Sequence, residues 1–223
     1  MVEPLHVAVL ASGSGSNLQA ILDQCRPPAP ADVVLVASNR PDAGSFARAE
    51  RAGVPTYTIT DPDDADALLA ALRQAGAGFV VLAGYLKLLP EPVVDAFAER
   101  MVNIHPALLP AFGGQGMYGM RVHQAVLASG ATVTGPTVHL VTNEYDRGPI
   151  LAQWPVPVRP TDTPEALRDR VLAAEHELLP AVVLAAARAG RAVPLPIRGA
   201  AFAAGTHMPT LQDQLEISNE PDK

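Results

Sequence analysis

An asparagine and a histidine two residues apart, closed by a proline, are the side chains of this sequence best suited to chemistry: Met101-Val102-Asn103-Ile104-His105-Pro106. On a strand, alternate side chains share a side, so Asn103 and His105 project together while Ile104 points into the core. Pro106 keeps His105 extended and ends the strand. An imidazole titrates near neutrality and can give or take a proton. A carboxamide N–H can stabilise an oxyanion forming on an attacked carbonyl. No serine or cysteine lies nearby to serve as nucleophile, so the pair suits direct attack of an amine on a bound acyl donor. A carboxylate would orient the imidazole and favour its protonated form. Asp146, in the turn of residues 143–148, is the candidate; the alternative is an aspartate that only caps its own turn. The other histidines read as structural: His123 on an exposed helix face, His139 on a strand beside Thr137, His176 on a solvated helix face.

A second candidate is the turn Ser12-Gly13-Ser14-Gly15-Ser16-Asn17, which follows an apolar run and precedes a helical pattern. It opens like a dinucleotide fingerprint, but Leu18 stands where the third glycine belongs. Ser38, Asn39 and Arg40 stand where an acidic residue is expected. An NADP site using Ser38 and Arg40 stays open, as does a tight turn without a ligand. A terminal phosphate fits better: the glycines let the backbone approach an anion, Ser16 and Asn17 add donors, and the helix start offers free N–H groups. The glycine-dense stretch of residues 113–119 reads either as a mobile loop or as one that shapes a substrate pocket.

The elements that must position these groups follow from apolar periodicity. Runs at 6–11, 33–37, 55–59, 79–83 and 101–104 predict strands; 18–22, 43–52, 63–75, 91–100 and 122–128 predict helices between and after them. Continuous apolar strands alternating with helices imply a parallel sheet covered on both faces. Residues 132–142 and 150–158 predict two longer strands joined by a short connection, an antiparallel pair. Thr163 as N-cap, Pro164 at the first helical position and Gly190 after the last predict a helix over 164–189, with Pro180 a candidate kink. The expected architecture is α/β: a Rossmann-like, doubly wound, mostly parallel sheet with an antiparallel C-terminal strand pair. One domain spans residues 1–205, and the polar residues 206–223 form a flexible tail.

The 223 residues suffice for a sizeable core. With 48% hydrophobic but only 4% aromatic residues, that core is built from Ala, Val and Leu. A net charge of −7 argues against nucleic acid as a partner. The single cysteine, Cys25, excludes an intramolecular disulfide and a cysteine metal cluster. The N-terminus lacks the basic and long apolar regions of a signal peptide, and no stretch approaches a membrane span. A cytoplasmic protein acting on small molecules, with no membrane or nucleic-acid partner, as a monomer or homodimer, is the expectation.

Four segments together carry a resemblance: Ala11-Ser12-Gly13-Ser14-Gly15-Ser16-Asn17-Leu18-Gln19-Ala20-Ile21, Val81-Leu82-Ala83-Gly84-Tyr85, Asn103-Ile104-His105-Pro106-Ala107-Leu108-Leu109-Pro110 and Gly135-Pro136-Thr137-Val138-His139. Over residues 5–190 the chain resembles the phosphoribosylglycinamide formyltransferases, a family of the folate-dependent formyltransferase superfamily. The resemblance implies 10-formyltetrahydrofolate as co-substrate, no metal, and Asn103, His105 and Asp146 as the catalytic set. It implies that Gly15, Ser16, Asn17 and Glu175 bind the ribonucleotide. It also implies that Leu86, Lys87, Leu88 and Leu89, with Thr142, Asn143, Glu144, Tyr145 and Asp146, line the folate pocket beside Asn103. Two departures stand out. Residues 113–120 replace a Pro-Gly-Leu-His-type loop, and the region of residues 61–66 has no arginine for the folate. Formyltetrahydrofolate hydrolase shares the three catalytic residues but is expected to carry an extra N-terminal regulatory domain. Methionyl-tRNA formyltransferase is expected to append a C-terminal nucleic-acid module. A non-catalytic NADP-binding protein is the rival from another class.

Overall fold

The computed structural model describes residues 3–26 and 28–195. In chain order the elements are β1 (Leu5–Leu10), α1 (Ser16–Gln24), β2 (Ala31–Ser38), α2 (Gly44–Arg51), β3 (Thr56–Thr58), α3 (Ala65–Gln74), β4 (Phe79–Leu82), α4 (Glu91–Ala96), β5 (Met101–His105), α5 (Met120–Ala128), β6 (Val133–Thr134), β7 (Thr137–Leu140), β8 (Ile150–Gln153), β9 (Val156–Pro157) and α6 (Pro164–Ala189). The main sheet runs β3-β2-β1-β4-β5-β7-β8. Its first five strands are parallel; β7 and β8 join antiparallel.

Each parallel strand feeds two cores, because successive side chains leave opposite faces of the sheet. Val7 and Val9 pack with Leu18, Ile21 and Leu22 of α1 and with Leu178, Leu179, Val182 and Val183 of α6. Ala8 and Leu10 pack on the other face with Leu68, Leu69 and Leu72 of α3 and Val93 and Val94 of α4. This is the doubly wound, Rossmann-like arrangement expected of uninterrupted apolar strands. The strand order reverses between β1 and β4, and the chain leaves both strands at their carboxyl ends. That edge is where open α/β sheets hold ligands.

Helix α6 starts and stops where its punctuation dictates. The Thr163 hydroxyl accepts from the Ala166 N–H at 3.2 Å, Pro164 opens the helix, and Gly190 closes it in the left-handed region at φ 71°. Pro180 lies buried inside the helix, which continues through it. Helix α4 ends at Ala96, short of the expected 100, because Glu99 adopts φ 59° as the chain turns into β5.

The expected strands over 132–142 and 150–158 are each broken in two. Gly135 sits at φ 145°, and a Cβ there would lie 1.9 Å from the Trp154 carbonyl oxygen. Pro136 has no N–H to continue a ladder. As a result β6 and β9 form a separate two-stranded ladder. β7 inserts between β5 and β8, antiparallel to both. The segment expected as a flexible tail, residues 206–223, lies outside the described residues, as do residues 196–205 of the expected domain.

Candidate active site

The antiparallel pairing of β5 with β7 builds the site. Asn103 is directly opposite His139, and His105 opposite Thr137. Ile104, between them, turns into the core under α6. The turn after β7 returns Asp146 over the same edge. His105 Nδ1 lies 3.4 Å from Asp146 Oδ2. The Asn103 amide nitrogen lies 3.0 Å from His139 Nε2 and 3.3 Å from Asp146 Oδ1. His139 Nδ1 faces its neighbour's carbonyl, Leu140 O, at 2.8 Å. His139 Nε2 also lies 3.5 Å from Asp146 Oδ1.

Two further backbone groups close the cluster. His105 Nε2 donates to the Phe112 carbonyl at 2.8 Å, and the Gly114 N–H donates to Asp146 Oδ2 at 2.9 Å. Both ring nitrogens of His105 therefore face acceptors, an arrangement complementary to an imidazolium. Burial of the ring works against that charge. It holds the His105 pKa below the ordinary histidine value, opposed by Asp146 and the Phe112 carbonyl and reinforced by His139. Asp146 is held below the ordinary carboxylate value: burial pushes it up, but the His139 contact, His105 and the Gly114 N–H outweigh it. A cluster with an ionised carboxylate and a neutral His105 is ready to accept one proton.

These groups border a pocket of about 590 Å³, within the usual range for small-molecule sites. Of the positions the resemblance assigns to folate, Leu86, Lys87, Leu88, Leu89, Thr142, Glu144 and Tyr145 line it with Asn103 and Asp146; Asn143 does not. Leu86 and Leu88 are exposed large apolar side chains on the pocket wall, and Leu89 and Tyr85 are buried. The Tyr85 hydroxyl is sealed from solvent without a hydrogen-bond partner. Of the ribonucleotide positions, Asn17 and Glu175 line the pocket, whereas Gly15 and Ser16 do not. Ser16 borders a shallow depression with Gln19, Asp23, Arg48 and His176. Gly15 serves the turn itself: its φ is 74°, and a Cβ would meet Ser45 Cα at 2.7 Å. It caps α1 without a side-chain hydrogen bond, which leaves the first-turn N–H groups available to an anion.

Asn17 and Glu175 come together from opposite ends of the chain, with Asn17 Nδ2 donating to Glu175 Oε2 at 2.6 Å. Burial pushes the Glu175 carboxyl up to about 7, against the lowering effect of the Asn17 amide. The glycine-dense loop is the pocket-shaping kind: residues 114–120 all contribute to the lining.

Three histidines differ from their sequence readings. His123 is buried and lines the pocket, and burial, with Arg168 and His105 nearby, pushes its pKa down to about 4. Its helix turns inward on α6, whereas the sequence showed only the helical period. His139 stands on a strand beside Thr137 as read, but its ring joins the cluster of Asn103 and Asp146; only the β5–β7 register reveals that. His176 is half-buried against α1, where its carbonyl accepts from Gln24 Nε2 at 3.4 Å. Arg168 is a further pocket residue the sequence did not single out. Among the described residues no group of three or more His, Cys, Asp or Glu side chains is arranged to hold a metal ion, and no helix is long and apolar enough to cross a membrane.

This constellation has relatives. The formyl transferase family profile matches residues 5–183. A chloroplastic phosphoribosylglycinamide formyltransferase of Arabidopsis thaliana is 49% identical over 185 residues, covering 79% of this chain and 63% of that protein. The phosphoribosylglycinamide formyltransferase of Escherichia coli is 37% identical over 186 residues, covering 80% of this chain and 85% of that one. The crystal structure of glycinamide ribonucleotide transformylase 1 from Symbiobacterium toebii superimposes with a TM-score of 0.76 at 41% identity, covering 85% and 94% of the two chains. The chain spans about three fifths of the length of the plant relatives and 18% of the human trifunctional purine biosynthetic protein adenosine-3. With a profile match over most of its length and 37% and 41% identity to two enzymes of which it spans 85% and 94%, the chain belongs to the formyl transferase family.

Proposed function

We propose that this protein transfers the formyl group of 10-formyltetrahydrofolate to the amine of N1-(5-phospho-D-ribosyl)glycinamide, the third step of de novo purine (IMP) biosynthesis. The observation that carries this reading is the convergence of Asn103, His105, His139 and Asp146 on one wall of a pocket. That pocket has an apolar wall at residues 86–89 and a polar one at Asn17 and Glu175. The apolar wall and the unpartnered Tyr85 hydroxyl suit a flat heteroaromatic ring with polar edges. The polar wall, beside the uncapped start of α1, suits a phosphorylated sugar.

In this mechanism the acceptor amine attacks the formyl carbon. The Asn103 N–H directed at Asp146 is the longer of its two bonds, at 3.3 Å, and is the one a developing oxyanion competes for. His105 takes the amine proton. Asp146, 3.4 Å from Nδ1, then pairs with the imidazolium, which offsets its burial. The proton passes on to the departing folate nitrogen as the carbon–nitrogen bond to the carrier breaks, so one bond forms, one breaks and the proton count balances. Metal chemistry plays no part in this proposal. A cytoplasmic location belongs to the same proposal; the lone Cys25 is compatible with a reducing compartment.

The test is an absorbance assay of the purified chain with 10-formyltetrahydrofolate, with and without the ribonucleotide. Deformylation that depends on the ribonucleotide is the expected result; equal deformylation without it would make the protein a hydrolase. Asn103→Ala and His105→Ala should each lower turnover on the order of 10²–10³-fold while the protein stays folded.

A further inference from the structure

The contacts of the catalytic pair point to a positioning element that no assigned role covers. We infer that residues 112–114 form a clasp that sets His105 and Asp146 against each other from one short piece of backbone. The inference rests on the catalytic reading of that pair given above.

The clasp has three parts. The Phe112 carbonyl takes the His105 Nε2–H at 2.8 Å, which fixes the ring plane and presents Nδ1 to Asp146. The Gly114 N–H donates to Asp146 Oδ2 at 2.9 Å, and Oδ2 is the oxygen that faces His105. Gly113, between them, is crowded: a Cβ would lie 2.4 Å from Leu109 Cδ2, the end of a side chain that must swing away, and 3.2 Å from Asp146 Cβ. The segment is anchored rather than draped. The Phe112 ring packs against the third apolar cluster, Val126, Val156, Leu167 and Val171, which ties the clasp to α5, β9 and α6. Both residues that hold His105 adopt left-handed backbone, Phe112 and Asp146 each at φ 56°. Neither is glycine, so each conformation persists only where surrounding contacts over-determine it. Strain at both partners of one imidazole marks the pair as held in place.

The charged and titratable groups near His105 are Asp146 from the turn after β7, His139 from β7 and His123 from α5. Asp146 and the Phe112 carbonyl both favour its protonated form, so a loosened clasp removes both influences together. A change that only destabilised the fold would leave the ring's environment intact in the folded population.

The experiment uses Gly113→Ala, Phe112→Ala and the double variant Leu109→Val/Gly113→Ala in the full chain. Turnover is measured at saturating substrates, alongside the NMR titration of the His105 ring, whose signal is assigned by its loss in His105→Gln. Gly113→Ala should lower kcat on the order of 10²-fold, as misplacement of reacting groups by about 1 Å does. KM for the ribonucleotide should stay within a few-fold, and the His105 titration should move to lower pH. Leu109→Val removes the nearest colliding atom and should recover part of both losses. Phe112→Ala should act in the same direction and carries the test if Gly113→Ala does not fold. An unchanged His105 titration in folded Gly113→Ala or Phe112→Ala overturns the clasp, whatever happens to kcat. Full turnover of His105→Ala and Asp146→Asn would instead overturn the catalytic reading, while the titration still judges the clasp.

Discussion

Asp146 holds four partners at once: two imidazoles, the Asn103 amide and a backbone N–H. Removing its charge should be read through His105. The pKa of that ring is already below the ordinary value because of burial, with Asp146 opposing. In the proposed mechanism His105 must begin neutral, so turnover should fall only as pH drops below about 6.5. In Asp146→Asn the acid limb should move to still lower pH while the maximum drops, as pH–rate profiles of kcat in the two proteins would reveal. Glu175 makes the opposite prediction for stability. Its folded pKa is about 7 against an ordinary 4.5, so its contribution is whole below pH 4.5 and is lost as pH rises through 7. Glu175→Gln should therefore match the parent at pH 4 and exceed it above pH 8 by on the order of 2–3 kcal/mol in denaturant unfolding. Equal stabilities at pH 8 would show that the buried carboxyl carries no such strain. His123 runs the other way, with a folded pKa of about 4. Its contribution is present above pH 6.5 and is lost as pH falls toward 4.

At the scale of elements, the turn of residues 143–148 converts the geometry of a sheet into the geometry of a site. Gly148 is the residue that allows it: a Cβ there would lie 1.7 Å from the Leu140 carbonyl oxygen. Gly148→Ala should cost more than about 1 kcal/mol in stability and also lower turnover, because the backbone that must move carries Asp146. Normal kcat in that variant would separate the turn from the site. Legibility divides along the same line. The parallel half was readable because each strand is a continuous apolar run and each helix has its own caps, all local signals. The strand end with Asn103 and His105 was readable for the same reason. The antiparallel strand pair was readable too; its division into β6, β7, β8 and β9 was not, because the close approach of Gly135 to the Trp154 carbonyl joins residues 19 positions apart. The ring of His139 could not be assigned to the site without the β5–β7 register. Asp146 was named from its turn, with a local cap as the alternative, because no local signal says that the turn folds back over the β5 edge. His123 looked exposed because a helical period shows that one face is apolar, not which neighbour covers the other.

Under the proposed function the molecule holds two ligands in one pocket, and its architecture offers each a wall. Asn17 and Glu175 come from α1 and α6, helices that share the core on one face of the sheet. Leu89 and Tyr85 belong to the core on the other face. The cluster of Asn103, His105, His139 and Asp146 sits between them at the edge where β5 meets β7. Each ligand should therefore bind without the other and stabilise the native state by mass action, about 2.7 kcal/mol at a concentration 100 times its Kd. For a chain of this size that corresponds to a rise in melting temperature of about 5–10 °C. A non-reactive folate analogue and the ribonucleotide should each produce such a shift, and the two together a larger one. Glu175→Gln should weaken only the ribonucleotide shift, since its carboxyl lies on that wall alone. NADPH should produce none: the turn after β1 lacks the third glycine, and of the two groups offered in place of an acidic residue Ser38 is fully buried and Arg40 pairs with Asp42. A shift with NADPH and none with either expected ligand would return the glycine turn to the dinucleotide reading and remove the basis for placing a phosphate there.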